Sequence, residues 1–305
     1  MQRILGKTGV SLSPIGFGCA SIWGSGLICD SEAVSLFERA YSLGVTYFDT
    51  GHSYGLAEER IGKALRQGSV PRDKIVISTK FGTRIRNGKP VHDVSPEWIR
   101  ESVQTSLRRM GTDFIDLLSI HGARSSDFCD ETFQTLDALK KEGLVRFVGA
   151  STSNDAHLIE EISRHDWFDY VFLRYNILNQ ALEPLIETLY QEQIGVIAGA
   201  PLAEGLYSNR IFHPRSKNDL WYLARAAAHF RKQLFEGRRY RFIDRVDGMS
   251  GAQIALRYVL DNPHVTSAVV GTVSADHLRD DLKVLEMTIP PDVAERIRNT
   301  ENRAV

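Results

Sequence analysis

At 305 residues the chain is long for one ordinary hydrophobic core but matches an α/β barrel, which closes as a single domain of roughly 250 residues or more; residues 1–305 are read as one such domain. Lys and Arg total 37 against 38 Asp and Glu, a formal charge of −1, so no strong field draws the molecule to nucleic acid or an anionic membrane, and a small-molecule ligand is expected instead. The three cysteines form neither a paired framework nor a C-x-x-C spacing, which predicts free thiols and a reducing, cytoplasmic setting; with no cleavable leader pattern and no run of about 18 apolar residues, export and membrane spanning are not expected.

Short apolar runs alternate with longer segments of helical period, the pattern of repeated βα units around a parallel sheet. Arg3–Leu5 and Val10–Leu12 flank Gly6-Lys7-Thr8-Gly9 and predict a hairpin that plugs the N-terminal end of a barrel. Strands are then expected at Ile15–Gly18, Val45–Asp49, Ile75–Thr79, Ile115–Ser119, Val145–Ala150, Tyr170–Arg174, Gly195–Ala198 and Ser267–Val270, giving an α/β fold, the (β/α)8 TIM barrel. After the first strand, Ser31–Tyr41 places Val34, Phe37 and Tyr41 on one helical face, and after the third, Ser95 followed by Pro96 reads as a helix cap with proline in the first turn. Tyr207–Ser250 is too long for an ordinary connection and is expected to be an irregular loop on the C-terminal face that serves binding.

Several motifs fail on spacing. Gly6-Lys7-Thr8 lacks the glycine that a phosphate loop needs five residues earlier, since Met1 stands there. Gly16-Phe17-Gly18 follows a strand, but Ser21 replaces the third glycine of a dinucleotide fingerprint and no helix opens at once. No H-E-x-x-H is present and the nine histidines are scattered, so no metal site is expected.

Ionisable groups, by contrast, collect at strand ends. Gly44-Val-Thr-Tyr-Phe-Asp49 ends in a carboxylate, and Tyr54 follows in a glycine-containing loop that runs on to Glu58-Glu-Arg-Ile-Gly62; Ile75–Lys80 ends in an ammonium, and Met110–His121 ends in an imidazole. Each alone has an ordinary reading, as a turn cap, a solvated strand end, a packing histidine or a loop anchor. In a barrel, however, successive strand ends face one cavity.

With these segments, and from Leu5-Gly-Lys-Thr-Gly9 through Val269-Val-Gly-Thr272, the chain resembles the aldo-keto reductase family. The resemblance implies hydride transfer between a nicotinamide and a carbonyl or alcohol, with Tyr54 as general acid or base and Asp49, Lys80 and His121 completing a tetrad. A lysine ammonium beside a phenol is expected to lower the phenol's pKa from about 10. The resemblance places the nicotinamide carboxamide at Ser151 and Thr152, where Thr152 departs from the family's asparagine. It places the pyrophosphate loop at Leu202, with Glu204 an awkward neighbour expected to point outward, and the adenosine at Gly271, Thr272, His277 and Asp281. Phe172 stands where the family often has a glutamine, and Gly199 where many members carry an aromatic ring against the nicotinamide. Gly271 and His277 replace the lysine and arginine of NADP-preferring members, and the acidic Asp280–Asp281 pair suits an unphosphorylated ribose, so the cofactor is NAD or NADP with NAD favoured.

Trp23, Phe81 and Trp221 are expected to wall the substrate pocket. Ser25, His52 and the run Arg238-Arg239-Tyr240-Arg241 suggest a polar substrate such as a sugar, and Gly195–Leu206 is similar to the NAD-linked aldose dehydrogenase branch. The alternatives are an NADPH-dependent aldehyde or ketone reductase and a cofactor-binding regulatory subunit; oligomeric state is left open.

Overall fold

A pleated strand turns successive side chains to opposite faces, and this alternation sorts the apolar residues into two cores. The computed structural model describes residues 2–152, 155–208, 220, 223, 224, 226–228 and 230–301. A hairpin of β1 (Arg3–Ile4) and β2 (Ser11–Leu12) precedes the barrel strands β3 (Ile15–Gly18), β4 (Tyr47–Asp49) and β5 (Val76–Phe81). A second hairpin, β6 (Thr83–Arg86) and β7 (Lys89–His92), leaves the barrel before β8 (Ile115–His121), β9 (Val145–Ser151), β10 (Tyr170–Leu173), β11 (Gly195–Gly199) and β12 (Val265–Val270) complete it. The barrel pairs are all parallel, and β12 joins β3 to close the ring.

Around it lie α1 (Asp30–Ser42), α2 (Ala57–Gln67), α3 (Pro96–Met110), α4 (Asp130–Lys141), α5 (Ala156–Ser163), α6 (Glu183–Gln191), α7 (Arg231–Gly237), α8 (Gly251–Asp261), α9 (Ala275–Leu282) and α10 (Pro291–Glu301). The expected cap on α3 is present: Ser95 accepts from the Trp98 N–H, and Pro96, which needs no donor there, occupies the first turn. Ser250 and Gln253 form a reciprocal capping box on α8.

Ile77 and Phe81 of β5, with Phe17, Phe48 and Leu118 of neighbouring strands, face the helices and form the larger core. Tyr47, Val76, Leu117, Tyr170, Ile197 and Val269 fill the lumen. Bulky lumen residues are matched to glycines on adjoining strands: a Cβ built on Gly16 would lie 2.5 Å from the Tyr47 ring, and one on Gly149 would lie 2.6 Å from the Tyr170 ring. Large side chains thereby fill space that small ones leave. The N-terminal hairpin plugs this lumen as expected: Leu5 is fully buried in the lumen cluster, and its side chain sits where Gly195 would carry a Cβ, 2.3 Å away.

One element was not expected and one expectation needs correction. The hairpin β6–β7 was not foreseen, although Asn87-Gly88 at its tip carries positive φ of 52° and 73°, the conformation that the Asn-Gly dipeptide favours in tight hairpins. The long segment is not wholly irregular, since it contains α7 and a 3-10 helix, Arg238–Arg245. Within its basic run Tyr240 is buried with its hydroxyl accepting from Gln180 Nε2 at 3.1 Å, whereas Arg238 and Arg239 are exposed and Arg239 shares a surface cleft with Asp292 and Glu295 of α10. Trp221 lies outside the described residues.

Candidate active site

Asp49 and His121 close their strands and Lys80 stands one residue before the end of β5, all on the lumen side, and register brings them together: Asp49 pairs with Ser78, Lys80 with Ser119 and His121 with Ser151. Lys80 is 2 % exposed. Its ammonium donates to Asp49 Oδ1 at 2.6 Å and to the Thr50 carbonyl at 2.7 Å, while the Ser78 hydroxyl donates to the same Asp49 oxygen at 2.7 Å. Tyr47 OH and Ser78 Oγ, 2.9 Å apart, extend this network into the barrel. A buried ion pair is tolerable only with its hydrogen bonds satisfied, and serine and carbonyl partners supply them here.

Tyr54 enters from the loop after β4. Its ring centroid is 5.0 Å from Lys80 Nζ and 5.6 Å from the His121 ring, which meets it edge-on. The loop is locked from behind, where Leu56 N–H donates to the Gly24 carbonyl at 2.8 Å. All four residues therefore surround one small volume at the C-terminal end of the barrel.

Burial and charge then set the protonation states. Burial drives the Tyr54 phenol up, and the downward pull of the Lys80 ammonium does not overcome it, with Asp49 adding to the rise. The expectation that lysine lowers this pKa holds for the direction of its own effect and fails for the net result, because removing a phenolate from water costs more than one neighbouring ammonium returns. For Lys80, burial favours the neutral amine, but Asp49 and Tyr54 outweigh it and the net shift is upward, so the ammonium persists. His121 is pushed down to about 4 by burial, then by Lys80 and His92, and is a neutral imidazole near pH 7. Its Nδ1 lies 3.1 Å from Thr83 Oγ1 at the root of the β6–β7 hairpin. Thr83 is a site residue that sequence reasoning missed, and the unread Asn-Gly turn was the available signal.

The residues expected at the cofactor divide by position. Ser151 ends β9, in register with both His121 and Phe172. Thr152 is buried, its N–H donates to the Phe172 carbonyl at 3.0 Å, and among the described residues its buried hydroxyl has no hydrogen-bond partner. Leu202 lies in a turn where Ala200, Ala203 and Glu204 all have positive φ, of 49°, 44° and 55°, a concentration of strain that typically marks functional loops. Glu204 does not stand as a bare charge, since Arg174 donates to it at 3.0 Å. Gly271 follows β12 and is open: among the described residues only the Gly18 carbonyl, at 3.7 Å, is within reach of an added Cβ. Thr272 Oγ1 accepts from the Ser274 N–H at 3.0 Å at the entry to α9, where His277 is exposed and Asp281 buried. Burial, then the neighbouring Asp280, raises the Asp281 carboxyl to about 7. An orphaned hydroxyl beside the tetrad, an open glycine and a strained loop fit a nicotinamide dinucleotide. Among the described residues no group of His, Cys, Asp or Glu is placed to hold a metal ion, and no helix is long and apolar enough to cross a membrane.

Two of the expected pocket walls are packing residues instead. Phe81 follows Lys80 on β5, so the alternation that turns Lys80 inward turns Phe81 toward the helices, where it is 1 % exposed. Trp23, also 1 % exposed, packs against Phe17 and Phe37 and donates its indole N–H to the Ala33 carbonyl at 3.1 Å. Ser25 donates to the Ile22 carbonyl at 2.8 Å, and His52 meets Trp98 edge-on at 5.2 Å.

Residues 14–302 match the family model described as the aldo/keto reductase family. The chain is 30 % identical to L-galactose dehydrogenase of Arabidopsis thaliana, the alignment covering 92 % of this chain and 86 % of that protein. It is 27 % identical to L-glyceraldehyde 3-phosphate reductase of Escherichia coli (strain K12), over 93 % and 87 % of the two chains. The holo-form structure of an aldo-keto reductase from Bacillus halodurans superposes with a TM-score of 0.82 at 27 % identity, covering 98 % of this chain and 95 % of that one. Sequence, barrel topology and structural likeness agree that this chain belongs to the aldo/keto reductase family, oxidoreductases that act on carbonyl and alcohol groups with NAD(P).

Proposed function

We propose that the chain is an aldose 1-dehydrogenase that uses NAD, with Tyr54 moving the proton, Lys80 and Asp49 fixing the electrostatics and His121 orienting the substrate oxygen. The observation that carries this reading is the Lys80 ammonium, buried, held by Asp49 and Thr50, and set beside the Tyr54 ring. Such an ammonium favours the phenolate once the phenol gives up its proton. In reduction, the Tyr54 O–H protonates the carbonyl oxygen as the carbon accepts a hydride; in oxidation, the tyrosinate takes the hydroxyl proton as the hydride leaves. The neutral His121 ring can donate or accept a hydrogen bond to that oxygen without adding a second cation beside Lys80. The cofactor, when bound, supplies or accepts the hydride. Ser151 and Thr152 would hold its carboxamide, Leu202 its pyrophosphate, and Gly271, Thr272, His277 and Asp281 its adenosine.

The NAD preference draws on α9. Arg279, a candidate for a 2′-phosphate, is engaged with Asp276 at 2.6 Å, and Lys283 with Asp280 at 2.8 Å, so both cations of this helix already have carboxylate partners, which suits an unphosphorylated ribose. The sugar preference draws on the resemblance to L-galactose dehydrogenase. The test is steady-state turnover at the nicotinamide absorbance, with NAD and NADP against a panel of aldoses and NADH and NADPH against simple aldehydes. NAD-linked aldose oxidation is expected; exclusive NADPH-linked aldehyde reduction would refute both the substrate and the cofactor assignment.

A further inference from the structure

Arg60 lies near the start of α2, and its backbone N–H donates to the Leu56 carbonyl at 3.0 Å. It is 1 % exposed, an unusual place for a charge that burial makes costly. Each arm of its guanidinium is engaged. Nε donates to Asp30 Oδ1 at 2.9 Å, Nη1 to the Trp23 carbonyl and, at 2.8 Å, to the Ser25 carbonyl, and Nη2 to the Ile28 carbonyl at 2.8 Å. Trp23, Ser25 and Ile28 belong to the connection between β3 and α1, and Asp30 is the first residue of α1.

The turn that carries Tyr54 rests on this same connection. Leu56 N–H donates to the Gly24 carbonyl at 2.8 Å. A Cβ built on Gly24 would strike the Tyr54 carbonyl oxygen, and one built on Gly55 would lie 2.5 Å from the Gly24 carbonyl. Gly24 stands between Trp23 and Ser25, the residues whose carbonyls share Nη1 of Arg60. The connection also passes through Ser21 with φ of 54°, a conformation that persists only where its surroundings hold it. Buried ions can often be replaced by apolar residues of similar volume without loss of stability, so stability alone gives no reason for a guanidinium here. What the planar fork adds is geometry, because its donors meet several acceptors in fixed directions.

We propose that Arg60 is a positioning residue for the proton-transfer step: by gathering the Trp23, Ser25 and Ile28 carbonyls it holds Gly24 against Tyr54 and Gly55, and so fixes the turn that presents the phenol to Lys80 and His121. This inference rests on the role proposed above for Tyr54 and names the side chain that aims it from behind.

The test reads turnover, binding and local order separately, with the aldose or aldehyde that wild type turns over. Arg60→Met is expected to lower kcat about 10- to 100-fold, the scale of a misplacement of about 1 Å, with affinity for NAD or NADP by calorimetry held within about 2-fold. Arg60→Lys, which keeps the charge but not the fork, is expected to fall in the same direction and repeats the test if methionine disturbs the fold. In the Tyr54→Phe background neither substitution is expected to cause further loss, because a positioning residue acts only through the group it positions. A residue needed only for folding would lower the remaining activity by the same factor in both backgrounds. Hydrogen exchange adds a readout without turnover: the Leu56 amide, bonded to Gly24, is expected to exchange about 10-fold faster in the variants while barrel-strand amides keep their protection. Wild-type kcat in the Arg60 variants, equal losses in both backgrounds, or exchange that in both variants quickens throughout the barrel or stays unchanged at Leu56 overturns the proposal. A Tyr54→Phe enzyme that turns over like wild type refutes the role of Tyr54 itself, a result distinct from an Arg60 variant that does so.

Discussion

At Tyr54, two opposing effects meet on one phenol. Burial keeps the proton on, and Lys80 offers to stabilise its loss, so the group is poised as an acid near neutrality and becomes a base only in alkali. Carbonyl reduction is therefore expected to hold its rate across neutral pH, while alcohol oxidation rises toward an alkaline limb; Lys80→Met should move that limb to still higher pH. Tyr54→Phe is expected to lower kcat about 10²- to 10⁴-fold, the usual scale of a general acid, with dinucleotide affinity by calorimetry unchanged. Retained turnover in that variant removes Tyr54 from the chemistry. His121 makes a stability prediction. Its pKa of about 4 in the folded chain lies below the ordinary 6.5, so between those values the unfolded chain binds a proton that the folded chain refuses, and acidification erodes stability by at most about 3 kcal/mol. Urea unfolding from pH 7 to pH 4 should show this slope in wild type and a shallower one in His121→Gln; parallel slopes would contradict the burial of a neutral imidazole.

Among the elements, the pairing of β10 with β11 includes a close contact between a glycine and an aromatic ring. Gly199→Ala places a methyl 2.3 Å from the Phe172 ring, an overpacking expected to cost about 1–3 kcal/mol. Phe172→Leu should relieve much of that cost, so chemical denaturation of both single variants and the double variant gives a non-additive cycle; additive losses would mean the two residues do not share this volume. The β6–β7 hairpin also matters at this scale. It carries Thr83 to His121, and His92 is bonded to the buried Asp127 at 2.9 Å, which ties the hairpin to the loop after β8. Its Asn87-Gly88 turn was legible in the sequence, whereas the contact between Thr83 and His121 depends on how that hairpin folds back over the barrel end.

For the whole molecule, a dinucleotide bound across β9, β11 and the start of α9 would bridge parts of the chain that meet only in the closed barrel. Ligand at 100 times its dissociation constant adds about 2.7 kcal/mol to folding stability, which corresponds to a rise of several degrees in Tm. NAD is expected to give the larger rise at equal concentration in thermal melts. A larger rise with NADP would place a usable cation near the ribose despite the pairing of Arg279 with Asp276.

The sequence by itself determined the barrel, through the alternation of strand and helix patterns, and the identity of its polar strand ends, because Asp49, Lys80 and His121 each stand at the close of an apolar run. It could also mark Phe172 and Gly199 as unusual. Only the tertiary structure decided that Phe81 and Trp23 are packing residues, since which face of a strand or loop is wetted depends on what packs against it. The net direction of the Tyr54 shift was likewise beyond one-dimensional reasoning. A lysine's charge can be read from sequence, but the desolvation that outweighs it exists only once β4, β5, β8 and the loop carrying Tyr54 have closed around the phenol.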